Sequence, residues 1–217
     1  MQSDREMSIH GAEEGDAAYE QPERALELAW LRRYLPQQFA GRQVLEWACG
    51  SGYWTQYLAP RARRYLALDE AAAALALARQ RPGVERVEFR LVQDCALPAG
   101  AGGFDAAFAA QCFSRLPKQR RDDWLAGLHG GLQAGAEVLW LDDSEAQCRE
   151  YPLVEYDAAG NGYQMRPGPD GGELRLLKNF PSETELRILL GRHGVSDMAL
   201  LRREHFWLLQ YRLPKRH

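Results

Sequence analysis

Three features of this 217-residue chain predict an α/β fold: a mostly parallel sheet of seven strands, helices on both faces, a final antiparallel hairpin and a small β insertion. The first feature is a strand, a glycine turn and the start of a helix in direct succession between Gln43 and Leu58. The second is an alternation of apolar strand-like and helical segments that runs through five strands, the pattern of parallel βα units. The third is a pair of short apolar runs near the carboxyl terminus that read as antiparallel neighbours.

Residues Met1 to Asp16 are polar, rich in Gly, Glu and Asp, and lack apolar periodicity, so residues 1–18 are expected to be mobile without ligand. Order is expected from about Tyr19. Ala25, Leu26, Leu28, Ala29 and Leu31 fall near helical spacing within residues 22–34, with Pro22 suited to the first turn. The apolar run 43–47 is the first strand, Gly50 and Gly52 break it, and a helix starts at Tyr53. Residues 65–69 form the second strand, and the alanine- and leucine-rich stretch 71–80 is a crossover helix stopped by Pro82-Gly83. Residues 87–92 alternate as a third strand that runs into Asp94-Cys95. The near-continuous apolar run 104–110, interrupted by Asp105, fits a buried fourth strand. A helix over 122–132, a turn at Ala134-Gly135 and a fifth strand over 137–141 follow, ending at Asp142-Asp143.

The next stretch, 151–177, changes character. Gly160-Asn161-Gly162 and Asp170-Gly171-Gly172 separate short strand-like pieces, which predicts an inserted hairpin or lid. Ser182 is placed to cap a helix over 183–190, with Glu185 at the capping-box position and His193-Gly194 closing it. Runs 195–201 and 206–213 complete the sheet as the antiparallel pair. At this length one domain spanning 1–217 is expected.

A net charge of −3 with interspersed signs implies no broad cationic face, so nucleic acid is not expected as a partner. No apolar run approaches the roughly 20 residues of a membrane span, and the amino terminus has no signal-peptide core, so a cytoplasmic location is expected. Cys49, Cys95, Cys112 and Cys148 include no C-x-x-C pair, which argues against a zinc site and for reduced thiols packed as small apolar side chains.

In open parallel sheets ligands lie beyond the carboxyl ends of the strands. Those ends supply Glu46 and Ala48 to Gly52, then Asp69 with Glu70, then Asp94 and Cys95, and finally Gln111 to Phe113. Glycines at such a turn allow positive φ or close approach of a ligand. A carboxylate at the end of the second strand is suited to hold a ribose diol. Thr55 occupies the third-glycine position of the dinucleotide pattern G-x-G-x-x-G, which disfavours a nicotinamide dehydrogenase.

The combination Val44-Leu45-Glu46, then Gly50-Ser51-Gly52, then Asp69 resembles motif I and its acidic partner in the class I S-adenosylmethionine-dependent methyltransferases. Ala48 stands where that family more often has a first glycine. The likeness extends over nearly the whole chain, because a Rossmann-like seven-strand sheet with a final antiparallel hairpin is the family's fold. It implies that the glycine turn lies against the aminoacyl part of the cofactor, with Glu46 serving that end. Asp69 then accepts from the ribose hydroxyls, Asp94 accepts from the adenine amino group, Cys95 packs by the adenine, and Gln111 and Phe113 lie near the sulfur. Tyr19 and Trp54 are placed near the cofactor mouth, although aromatics on helices more often belong to the core. Phe113-Ser114-Arg115-Leu116-Pro117 and Leu177-Lys178-Asn179-Phe180-Pro181-Ser182 look like small bacterial biosynthetic methyltransferases, including the phosphonate O-methyltransferase type. Arg115 stands where that group often has a histidine.

The reading is therefore a methyltransferase acting on O or N of a small metabolite, with S-adenosylmethionine as cofactor. An anionic acceptor would be held by a positive clamp, for which Arg115, Arg166, Arg175 and Lys178 are candidates, each with an ordinary surface charge as its competing fate. Two rivals are an RNA- or protein-modifying methyltransferase of the same fold and a non-catalytic protein that binds the cofactor for regulation. No particular residue is singled out as a general base, since in-line displacement can rest on proximity and orientation.

Overall fold

The computed structural model describes Asp16, Tyr19 and residues 21–93, 97–98, 100–168 and 171–215. Asp94, Cys95, Asp170 and most of the amino-terminal segment lie outside the described residues, so the expectations placed on them are not addressed below.

The main sheet has seven strands in the order β3-β2-β1-β4-β5-β10-β9. These are β1 (Gln43–Trp47), β2 (Arg64–Asp69), β3 (Val87–Leu91), β4 (Phe104–Ala110), β5 (Leu132–Asp143), β9 (Met198–Arg202) and β10 (Phe206–Arg212). Strands β1 to β5 pair in parallel, and β10 runs antiparallel to both β5 and β9. A separate antiparallel sheet, β6 (Leu153–Tyr156), β7 (Gly162–Pro167) and β8 (Glu173–Leu177), occupies the predicted insertion.

Period-two alternation sends successive side chains of each buried strand into different layers. Leu45 and Trp47 of β1 and Leu66 and Leu68 of β2 join one apolar cluster with Trp124, Leu125 and Leu128 of α4 (Arg121–Gly130) and Leu186 and Leu189 of α5 (Glu183–Arg192). Val44, Tyr65 and Ala67 join the other, with Leu28, Leu31 and Leu35 of α1 (Ala25–Gln38), Leu58 of α2 (Thr55–Leu58) and Leu75 of α3 (Ala72–Ala78). Helices thus cover both faces, which is why the parallel strands read as nearly unbroken apolar runs.

The boundaries differ from expectation at two places with identifiable causes. The helix predicted to reach residue 132 stops at Gly130, with Gly131 as its C-cap, and Leu132 already pairs with Phe104. The turn predicted at Ala134-Gly135 is instead an irregularity within β5. Gly135 there takes φ 77°, and the register jumps so that Glu137 faces Ala106. At the other predicted cap, Ser182 Oγ accepts from the Glu185 N–H at 3.2 Å and the Glu185 carboxylate accepts from the Ser182 N–H at 2.8 Å, a complete capping box. Asp105 is structural, as expected: its Oδ1 accepts from the Gln43 N–H at 2.8 Å where β1 begins.

Candidate active site

A cleft of about 440 Å³ lies beyond the carboxyl ends of β1, β2 and β4, within the range of small-molecule and cofactor sites. Among the predicted site residues, Tyr19, Glu46, Ala48, Cys49, Gly50, Trp54, Asp69, Glu70, Gln111 and Arg115 line it.

The glycine turn shapes one end. Ala48, Gly50 and Gly52 all have left-handed backbone, with φ of 57°, 56° and 76°. The departure at Ala48 is thus an alanine in a conformation that suits glycine. A Cβ added to Gly50 would meet nothing within 4 Å, so the backbone there borders open cleft. Gly52 does not line the cleft: a Cβ there would come within 2.8 Å of Ala78 Cβ, so this glycine lets α3 pack against the turn. Gly52, expected beside the cofactor, thus shapes the turn from behind.

Asp69 ties the turn to β2. Its Oδ2 accepts from the Gly50 N–H and its Oδ1 from the Ala71 N–H, both at 2.8 Å. Burial raises its pKa, and these two N–H groups oppose the rise. Each oxygen keeps lone-pair capacity for a ligand. Glu46, 2% exposed, accepts from Thr55 Oγ1 at 2.5 Å, and burial pushes its carboxyl up to about 8. Burial likewise raises the Cys49 thiol, which keeps it protonated and inert. Cys49, Cys112 and Cys148 are all free thiols.

An aromatic wall closes the same end. Trp54 Nε1 donates to Tyr19 Oη at 2.7 Å, and the Tyr19 ring stacks on Tyr53 with centroids 3.8 Å apart. Tyr19 and Trp54 are both cleft-lining and part of the core, so the two competing readings hold together. Sequence reasoning missed Asp16, whose Oδ1 accepts from Ser51 Oγ at 2.7 Å and which pairs with Arg81. It also missed Tyr53, Val92 and Trp124 in the wall. No local pattern marks Asp16, which sits in a polar stretch; Tyr53, directly after the glycine turn, had a positional signal.

The opposite end is built around β4 and β5. Gln111 has φ 51°, and its Nε2 donates to Asp143 Oδ1 at 3.1 Å. Phe113 turns away from the cleft. It is 1% exposed and stacks on Trp140 at 4.9 Å, because the 3-10 turn Phe113–Arg115 points it into the core while Arg115 reaches the cleft wall. Of the two residues expected near the sulfur, Gln111 lines the cleft and Phe113 does not.

Lys178, 2% exposed, is not an open clamp. Its Nζ donates to Asp143 Oδ2 at 2.7 Å and to Ser114 Oγ at 2.8 Å, with Asp142 Oδ1 at 3.7 Å. Burial raises the Asp142 carboxyl despite Lys178. Burial also acts to raise Asp143, but the Lys178 ammonium and Arg24 outweigh it and hold that carboxyl below the ordinary range. Ser114 completes the knot, donating from Oγ to Asp142 Oδ1 at 2.6 Å and from its N–H to Oδ2 at 2.8 Å. Asn179 N–H donates to the Ser114 carbonyl at 2.7 Å, and Lys118 N–H donates to Asn161 Oδ1 at 2.7 Å, so the second sheet is docked on the loop after β4. Neither Arg166 nor Arg175 lines the cleft. Arg166 lies over the Tyr151 ring at 4.6 Å, and exposed Arg175 forms a two-bond pair with Glu155 at 2.9 and 3.0 Å.

Comparison with known proteins agrees with this geometry. Residues 44–135 match the model of a methyltransferase domain. A comparison with curated protein sequences finds no match. Among solved structures, a DhpI–SAH complex is similar at 27% identity, covering 99% of this chain and 97% of that one, with a TM-score of 0.76. A DhpI–SAM–HEP complex is similar at 27% identity over 97% and 96%, with a TM-score of 0.75. The N-methyltransferase NodS from Bradyrhizobium japonicum WM9, at 18% identity, 90% and 99% coverage and a TM-score of 0.61, shares the fold. The chain is a class I S-adenosylmethionine-dependent methyltransferase. S-adenosylmethionine is its cofactor, and the cleft fits one: its volume suffices, Gly50 leaves the backbone open to a ligand, and carboxylates stand at the β2 end.

Proposed function

We propose that this methyltransferase acts on an oxygen or nitrogen of a small metabolite and that Arg115 holds an anionic group of that acceptor. The observation that carries the reading is the place of Arg115, which lines the cleft from the turn after β4, while Asp69 and Glu70 line it from the end of β2, two strands along the sheet. Its guanidinium offers a fork suited to carboxylate, phosphonate or phosphate. Docking of the second sheet onto the adjoining loop favours a small acceptor, as does the near-neutral charge. The DhpI structure with SAM and HEP, similar along almost the full chain, supports a cofactor and a second ligand sharing this architecture.

In this reading Asp69 and Glu70 hold the ribose, and the turn Ala48–Gly50 with Glu46 faces the aminoacyl part. Tyr19 and Trp54 screen that end from water. The cofactor supplies a methyl group on a positively charged sulfur. Gln111 lies near that sulfur, Arg115 orients the acceptor toward it, and an acceptor that is already an anion needs no base. The 151–177 segment serves as a lid within one domain, and the expected compartment is the cytoplasm.

Isothermal titration with S-adenosylmethionine and S-adenosylhomocysteine, with NADH as control, is followed by an assay of S-adenosylhomocysteine release against small acids, phosphonates and amines. Turnover on an anionic member that is lost in Arg115→Ala supports the proposal. Turnover confined to RNA or protein, with salt-sensitive binding, replaces it with the macromolecular reading.

A further inference from the structure

Gln111 and Ala48 are the two non-glycine residues with left-handed backbone among the described residues. Such a conformation persists only where its surroundings fix it, and it concentrates at functional sites. The Gln111 N–H donates to the Leu141 carbonyl at 2.8 Å, and its side-chain Nε2 donates to Asp143 Oδ1 at 3.1 Å. Asp143 is 1% exposed and also receives Lys178 Nζ at 2.7 Å, Gln147 Nε2 at 3.0 Å and Arg24 Nη1 at 3.3 Å. Two of these four donors carry a full positive charge, so Asp143 is ionised and can only accept.

That fixes a choice a glutamine amide otherwise has. Opposite an acceptor-only group the amide must present its NH₂, which leaves carbonyl Oε1 directed away from Asp143. Gln111 itself lines the cleft. We propose that Asp143 is a positioning residue, which locks the Gln111 amide so that Oε1 faces the cleft as the acceptor for the sulfonium end of the cofactor. The inference rests on the cofactor reading above. With the ribose at the end of β2, and β1 lying between β2 and β4 in the sheet, the sulfur attached to that ribose is carried across β1 toward Gln111. A preoriented carbonyl dipole in a partly dry cleft favours a cation over a neutral group of the same shape. Lys178 comes from the end of the second sheet and Arg24 from the turn before α1, so both segments help set this orientation.

S-adenosylmethionine carries the sulfonium charge and S-adenosylhomocysteine does not, so the ratio of their dissociation constants reads the contact without any acceptor substrate. In Gln111→Leu, which keeps bulk and removes the dipole, affinity for S-adenosylmethionine should fall on the order of tenfold while that for S-adenosylhomocysteine changes less than about twofold. Asp143→Asn, which can give or accept, should cause a smaller loss of the same kind. An unchanged ratio in Gln111→Leu overturns the proposal, as does an equal loss for both ligands, which marks a structural role. A ratio altered by Asp143→Asn alone overturns it too, since that would be a charge effect. Should Asp143→Asn not fold, as judged by circular dichroism, Gln111→Leu decides alone. Failure of the wild-type protein to bind either ligand removes the cofactor reading itself and this inference with it.

Discussion

At the β1–β2 end of the cleft the wall comes mainly from two short stretches, residues 46–54 and 68–71, and its key groups are backbone N–H donors and the carboxylate that receives them. At the β4–β5 end the wall residues Gln111 and Arg115 stand on a loop held by Arg24, Asp142, Asp143, Lys178 and Asn179, brought together from across the chain. One end is local and made of backbone geometry, and the other is long-range and made of buried charge. A local turn can be damaged at one residue without unfolding the protein. A buried charge knot cannot lose a member without cost to the whole fold.

The sharpest way to break this comparison is Gly50→Val. A β-branched side chain there fills open cleft and disfavours φ 56°, so S-adenosylhomocysteine binding should be abolished in titration while the fold persists. Unchanged affinity would take the glycine turn out of the site. Lys178→Met should act on the other end in the opposite manner. It leaves Asp142 without a cation and Asp143 with Arg24 alone, and should lower stability by about 3–5 kcal/mol in urea melts, whereas Arg175→Ala, in an exposed pair, should leave the urea midpoint nearly unchanged. Equal effects of the two would mean that the knot is no more than a surface ion pair.

The same contrast explains what was legible in the sequence. Strand β1 and its turn, β2 with Asp69, β4 with Asp105 and the Ser182–Glu185 cap could all be read because each is set by periodicity or by neighbours within a few residues. Lys178 and Arg166 read as candidate clamps because sequence gives charge without burial; folding gave Lys178 two carboxylate partners and set Arg166 against Tyr151. The sequence places Phe113 and Arg115 on one loop, but which of them faces the cleft depends on a tight turn that spacing does not reveal. In the sequence Thr55 shows only as a missing glycine. Its hydroxyl in fact donates to Glu46, the acidic residue of the same motif.

Glu46 offers a subtler test of the local end. With its carboxyl raised to about 8 in the fold from an ordinary value of 4.5, the folded protein binds the proton more tightly than the unfolded chain does. Its contribution to stability is therefore complete below about 4.5, declines as pH rises, and is gone above about 8. Thermal melts should show this decline, and Glu46→Gln, neutral at every pH, should flatten it. A slope identical in wild type and variant would assign the pH dependence elsewhere. A smaller effect is expected at Ala48: Ala48→Gly relieves a left-handed alanine and should raise stability by about 1 kcal/mol in urea melts, without changing cofactor affinity.

Strand β10 lies between β5 and β9, yet of these three it is synthesised last. As the chain leaves the ribosome, the buried segment 136–143 of β5 therefore keeps one edge without its partner while the second sheet, α5 and β9 are made. Domains consolidate as their elements emerge, and an unpaired apolar edge is where a nascent chain is most prone to join a wrong partner. The seven residues of β10, Phe206–Arg212, with six of the seven at least partly buried, thus act as the closing stitch of biogenesis. Until they arrive the sheet is two pieces.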